Sequence, residues 1–313
     1  MSPRNLAIGM VFLSQTVAGI FGNFSLFYHY LFIYFTGYRL RNTDLVLQHL
    51  IVANSLVVFS KGVPQTMAAL GWKQFPSDFE CKLLFYLHRV GRGVCIGSTC
   101  LLSIFQAIII SPRNSRWAEL KVKAPRCISL SIFLCWLLFM LVNIIIPVYV
   151  NRNWTNYTTE KQKDFGYYFA KVDDKIADSL FAALLSFPDA LCLGLMLWAS
   201  GSMVSILYRH KQRVQHIHRT SLSPRSSPES RATQTILLLV STFVSFYTLS
   251  CILLVCLVLF DTASWFLVNM AALSTVCYPS VSPFILMSRD SRISRLSFVW
   301  VRNTKSRTII SNT

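Results

Sequence analysis

KLLFYLHRVGRGVCIGSTCLLSIFQAIIIS, Lys82 to Ser111, carries three Lys or Arg, all in its first half, and no acid. A helix needs roughly 20 residues to cross the hydrocarbon layer of a bilayer, and this stretch exceeds that length. In lipid every backbone N–H and C=O must find its partner inside the structure, so an apolar run of this length is a spanning helix and not a barrel strand. His88, Arg89 and Arg92 then lie inside a membrane.

The pattern recurs at Leu6–Phe35, Leu45–Leu70, Arg126–Val150, Ser179–Tyr208, Ala232–Phe260 and Ser264–Ser288. Together with Lys82–Ser111 these make seven spans, so the expected fold is an all-α membrane protein, one seven-helix bundle over residues 1–313 with a tail at 289–313. A net charge of +17 and a pI near 9.7 would ordinarily suggest nucleic-acid binding, but the chain is 53% hydrophobic and only 14% charged, with a mean hydropathy of +0.48. That composition belongs to the membrane, and no nucleic-acid partner is expected. The first run is too long for the core of a cleavable signal peptide and lacks a convincing cleavage site, so it reads as a signal anchor.

The loops set the orientation. Those on the side of the carboxyl terminus carry 19 Lys or Arg, and those on the side of the amino terminus carry 7. The positive-inside rule therefore puts the amino terminus outside and the carboxyl terminus in the cytoplasm. Two glycosylation sequons, at Asn153 and Asn156, fall on the side this assignment makes extracellular; a third, at Asn23, lies within span one and should be unavailable. The stretch RHKQRVQHIHRTSLSPRSSPESR, Arg209–Arg231, becomes a cytoplasmic loop. As a topology signal it also touches anionic lipid headgroups.

That loop, running on into RATQTILLLVSTFVSFYTL (Arg231–Leu249), resembles the corresponding region of vomeronasal type 1 receptors. LLSIFQAIIISPRNSRWAELK (Leu101–Lys121), PDALCLGLMLWASGSMV (Pro188–Val204) and YPSVSPFILMSRDSRI (Tyr278–Ile293) agree, so the resemblance covers essentially the whole chain. It implies a rhodopsin-like architecture in which an extracellular small molecule, pheromone-like in kind, binds between the helices of a chemosensory receptor in the plasma membrane of vomeronasal sensory neurons. The cytoplasmic face would activate a heterotrimeric G protein of the inhibitory class, with Gln106, Arg113, Arg209, Lys211, Arg213 and Arg219 as candidate coupling residues. Marks of the larger rhodopsin-like class are altered. Asn54 stands where most members have an Asp able to hold sodium, Phe105-Gln106-Ala107 replaces the acid-Arg-aromatic triplet, and Ser282-Pro283-Phe284-Ile285-Leu286 replaces Asn-Pro-x-x-Tyr. The usual ionic lock between spans three and six cannot form.

Ionisable groups inside a span cost about 2.5–3.5 kcal/mol each on insertion scales and point to function by default. Here they are His29, Lys61, His88, Arg89, Arg92 and Asp189. His29 reads as a core or interface group. His88 and Arg92 are four residues apart and share a helical face, roughly 10–17 Å below Cys81 at 1.5 Å per residue. Lys61 falls in the outward half of span two. One reading is that these cations pair internally, for instance with Asp189 beside Pro188. The other starts from the imbalance: a single acid cannot neutralise Lys61, Arg89 and Arg92, so the pocket favours an anionic or strongly polar head on an apolar body. Candidate ligand-binding residues are Lys61, His88, Arg89, Arg92 and Asp189. Sulfated steroids are among the ligand types the resemblance implies.

The resemblance also implies a disulfide from Cys81 to the second extracellular loop, but Asn151–Asp178 contains no cysteine and Tyr168 occupies the place expected for it. The loop should be looser over the pocket. The remaining cysteines fall in or beside spans, where such residues usually pack as small apolar groups. No HExxH, CxxC pair or nucleotide-cradling glycine loop occurs, so no enzyme activity and no cofactor or metal is expected. A transporter is the rival class, and a bitter-taste-like chemoreceptor the nearer alternative. Seven unequal spans with one intramembrane Asp show none of the internal symmetry usual in transporters.

Overall fold

A computed structural model describes residues 3–37, 42–71, 78–111, 118–144, 175–217, 228–259 and 265–289. Seven helices among them are long and apolar enough to span a membrane. Span one is Pro3–Phe35, span three Asp78–Ile110, span four Ala118–Asn143, span five Lys175–Ile217, span six Pro228–Leu259 and span seven Trp265–Arg289. Span two is composite: Asn42–Val57, a π turn at Val58–Gly62, and Val63–Ala69. Glycines in the left-handed region, Gly37 at φ 73° and Gly71 at φ 81°, close the ends of spans one and two.

Three features differ from the expectation. The π turn has a cause in Pro64, whose ring would crowd the Ser60 carbonyl four residues back. Widening the turn moves the bonding to Val63 N–H and the Val58 carbonyl, and it places Lys61 in the widened segment. Span five runs nine residues past the expected Tyr208, so the first part of the basic stretch is helix and not loop. Its long Arg, Lys and Gln side chains favour that state, whereas the Ser and Pro crowding lies beyond Ile217. Span four begins at Ala118, ahead of the expected Arg126, and runs to Asn143 with Ile144 in a turn, while 145–150 of the expected span lie outside the described residues.

Span three is the hub. It packs on spans two, four, five and six, and 78% of its most apolar window is buried, against 22% in span four. Large apolar side chains such as Phe21, Phe24, Phe133 and Trp198 stay exposed on spans one, four and five. A soluble monomer rarely leaves so much apolar surface bare, but lipid covers it here. Where spans three and four cross, Gly93 and Gly97 let the backbone sit directly against Phe139 and Cys135.

Buried polar groups stitch the bundle from within. Asn54, fully buried, donates from Nδ2 to Ser282 Oγ at 2.9 Å, and its Oδ1 accepts from Cys95 Sγ at 3.2 Å. One neutral amide thus joins spans two, three and seven. Asn23 Nδ2 donates to the Pro279 carbonyl at 3.0 Å. Pro283, four residues on, has no N–H to offer that carbonyl, so span one supplies the missing donor. Asn23, with 1% of its surface exposed, sits inside the bundle within span one.

Candidate ligand site and cytoplasmic coupling

The site residues cluster around the amino-terminal half of span three, with Lys61 on span two and Asp189 on span five. His88 is 7% exposed, and its Nδ1 has no hydrogen-bond partner among the described residues. Lys61, Arg89 and Arg92 all lie within electrostatic range of it. Arg92 reaches span five and span six together: its Nη2 is 3.9 Å from Asp189 Oδ2, and its Cζ lies 5.0 Å from the centre of the Tyr247 ring. Arg89 turns the other way, with Nε donating to Asn143 Oδ1 on span four at 3.3 Å. Lys61 is half-buried in the π turn. Internal pairing is therefore present between Asp189 and Arg92, and Lys61, Arg89 and Arg92 gather around His88 beside Asp189, the one carboxylate of that cluster among the described residues.

Beneath Arg92 a cleft between spans two, three, six and seven is lined by Val57, Cys95, Phe243, Tyr247, Ser250 and Tyr278, among others. Its wall is a relay of rings. Tyr247 stacks on Phe243 at 5.8 Å, Phe243 meets Tyr278 edge-on at 4.8 Å, and the Tyr278 hydroxyl bonds Thr99 Oγ1 at 2.9 Å. The relay leads from the guanidinium towards the Asn54 centre. A mostly apolar lining with Arg92 as its one charged residue suits an amphiphilic molecule with an oxyanion head. Sequence reasoning missed Tyr247, Phe243, Tyr278 and Thr99, because an aromatic in an apolar helix carries no spacing signal of its own.

Near the carboxyl-terminal end of span three Gln106, 3% exposed, donates from Nε2 to Thr233 Oγ1 on span six at 3.0 Å. A neutral bond therefore joins spans three and six where the ionic lock would be. In this conformation Gln106, expected among the coupling residues, is buried inside the bundle and not on its surface. Arg209 is exposed on the extended helix of span five. Lys211 and Arg213 lie on that helix too, while Arg113, Arg219, Asn153, Asn156 and Tyr168 lie outside the described residues. Cys81 stands in the first turns of span three, and no two of the nine cysteines are joined by a disulfide.

Residues 6–299 match the family described as the vomeronasal organ pheromone receptor family. The chain is 59% identical over 302 residues to vomeronasal type-1 receptor 4 of Homo sapiens, covering 96% of this chain and 100% of that protein. It is 58% identical over 293 residues to vomeronasal type-1 receptor 2 of Homo sapiens, covering 94% of this chain and 74% of that one. Vomeronasal type-1 receptor 90 of Rattus norvegicus is 35% identical over 298 residues, 91% of each chain.

Proposed function

The chain belongs to the vomeronasal organ pheromone receptor family, and from that premise we propose that it binds a small extracellular molecule with an anionic head. It then signals through an inhibitory-class heterotrimeric G protein from the plasma membrane of vomeronasal sensory neurons. The carrying observation is the gathering of Lys61, Arg89 and Arg92 around a buried His88, with Arg92 set between Asp189 and the aromatic cleft. A sulfate ester on a rigid apolar body, as in a sulfated steroid, matches both the planar Arg fork and the aromatic cleft. The test is ligand-dependent nucleotide exchange on the G protein, run with an anionic compound and its uncharged counterpart. A response confined to the uncharged member would contradict the reading.

Topology follows from the cation asymmetry. Epitope tags at the amino terminus and within 209–231 should label from opposite sides, and Asn153 or Asn156 should carry a glycan removable by an endoglycosidase. Labelling of the 209–231 tag in intact cells would overturn the orientation.

The Gln106–Thr233 bond holds the inactive arrangement of spans three and six, because outward movement of span six would break it. A side-chain hydrogen bond of this kind is worth about 1 kcal/mol, so Gln106→Leu should raise the ligand-independent active fraction roughly fivefold. Basal nucleotide exchange per receptor at the cell surface measures it. No rise at equal surface density would remove this bond from the switch.

A further inference from the structure

We infer that Asp189 is an internal competitor for the ligand's anionic head, a specificity residue that admits only ligands able to displace it from Arg92. The inference rests on the anionic-ligand reading above and adds the step by which the site discriminates.

The geometry carries it. An Arg guanidinium offers five N–H donors in a rigid fork, and a well-formed carboxylate pair closes to about 2.7–2.9 Å. Here Nη2 and Oδ2 stand 3.9 Å apart, so Asp189 neutralises Arg92 without saturating it. The guanidinium carbon lies 5.0 Å from the centre of the Tyr247 ring, and the Tyr247 hydroxyl is a second hydrogen-bonding neighbour, so with five donors Arg92 still has N–H groups to offer an oxyanion. The Arg92 side chain is 29% exposed and that of Asp189 only 9%, so an incoming head meets the arginine before the carboxylate.

Displacement leaves Asp189 with somewhere to go. It lies within electrostatic range of Arg89 as well as Arg92, so it can shift its charge towards the second arginine as the ligand takes the first. It also follows Pro188, which has no N–H for the Leu184 carbonyl, and the helix is locally less tied there. An uncharged ligand gains nothing from Arg92 that compensates for moving Asp189 aside. A strongly ionised oxyanion exchanges one anion for another and leaves the charge around Arg92 unchanged.

The experiment measures binding of a rigid polycyclic alcohol and its sulfate ester to the full chain in lipid vesicles. Wild type, Asp189→Asn, Asp189→Ser and Arg92→Ala are compared at equal folded receptor. Both Asp189 variants should bind the sulfate ester roughly tenfold more tightly than wild type, with binding of the alcohol unchanged. Unchanged or weaker sulfate binding in both, with Arg92→Ala still abolishing it, would overturn the competitor role and leave the anionic site standing. Sulfate binding that survives Arg92→Ala would overturn the site itself, and the inference with it. Equal tightening towards the alcohol would also contradict the inference, since relief of charge competition is selective.

Discussion

Arg92→Ala is expected to weaken the response to an anionic agonist by about 10- to 150-fold, corresponding to the 1.5–3 kcal/mol of a hydrogen bond to a charged group. Arg92 is singled out among the three cations by its partners. Arg89 directs its Nε to Asn143 on span four, and Lys61 is a point charge on a flexible stem, whereas Arg92 borders both Asp189 and the aromatic cleft. Arg92→Lys should fall between wild type and Arg92→Ala, because it keeps the charge and loses the planar fork. An uncharged agonist should be much less affected by either change. Dose–response curves at matched surface expression decide the matter, and unchanged potency of Arg92→Ala towards the anion would remove Arg92 from the site.

The second large effect is structural. A Cβ added at Gly93 clashes with the edge of the Phe139 ring, and Phe139 is itself 2% exposed, so relief requires repacking inside the bundle. Overpacking of this kind typically costs about 1–3 kcal/mol, and the larger Val side chain belongs at the upper end or beyond. Gly93→Val should therefore remove most receptor from the cell surface. Gly201→Ala on span five should be neutral, because nothing lies within 4 Å of the added atom. Combining Gly93→Ala with Phe139→Ala should recover expression relative to Gly93→Ala alone. Normal surface levels of Gly93→Val would mean that spans three and four do not cross this closely.

The seven spans were legible because apolar length in a membrane has one structural solution. The intramembrane cations were legible for the same reason: Lys61, Arg89 and Arg92 are conspicuous in apolar surroundings. Their partners were less so. That Arg92 meets Asp189 while Arg89 turns to Asn143 depends on how spans three, four and five rotate against one another, and a charge in a sequence does not reveal which way its helix faces. The altered triplet at Gln106 showed that an ionic lock was missing but not that Thr233 had taken up a neutral one, since a Thr in an apolar helix has many ordinary uses. The π turn was hidden in an apolar run whose helix-disturbing residues are Gly62 and Pro64 alone, which do not say where the hydrogen bonding shifts. Helical continuation beyond Tyr208 was obscured by the basic charge, which marks the cytoplasmic side without marking where the helix stops.

The most direct test of receptor function at the cationic site is reconstitution of the full chain into vesicles with a heterotrimeric G protein. Nucleotide exchange and compound flux are followed together while a sulfate ester and its parent alcohol are added. The account predicts exchange driven by the sulfate ester, little by the alcohol, no flux of either, and loss of the response in Arg92→Ala. Sulfate flux without nucleotide exchange would identify a transporter and contradict it.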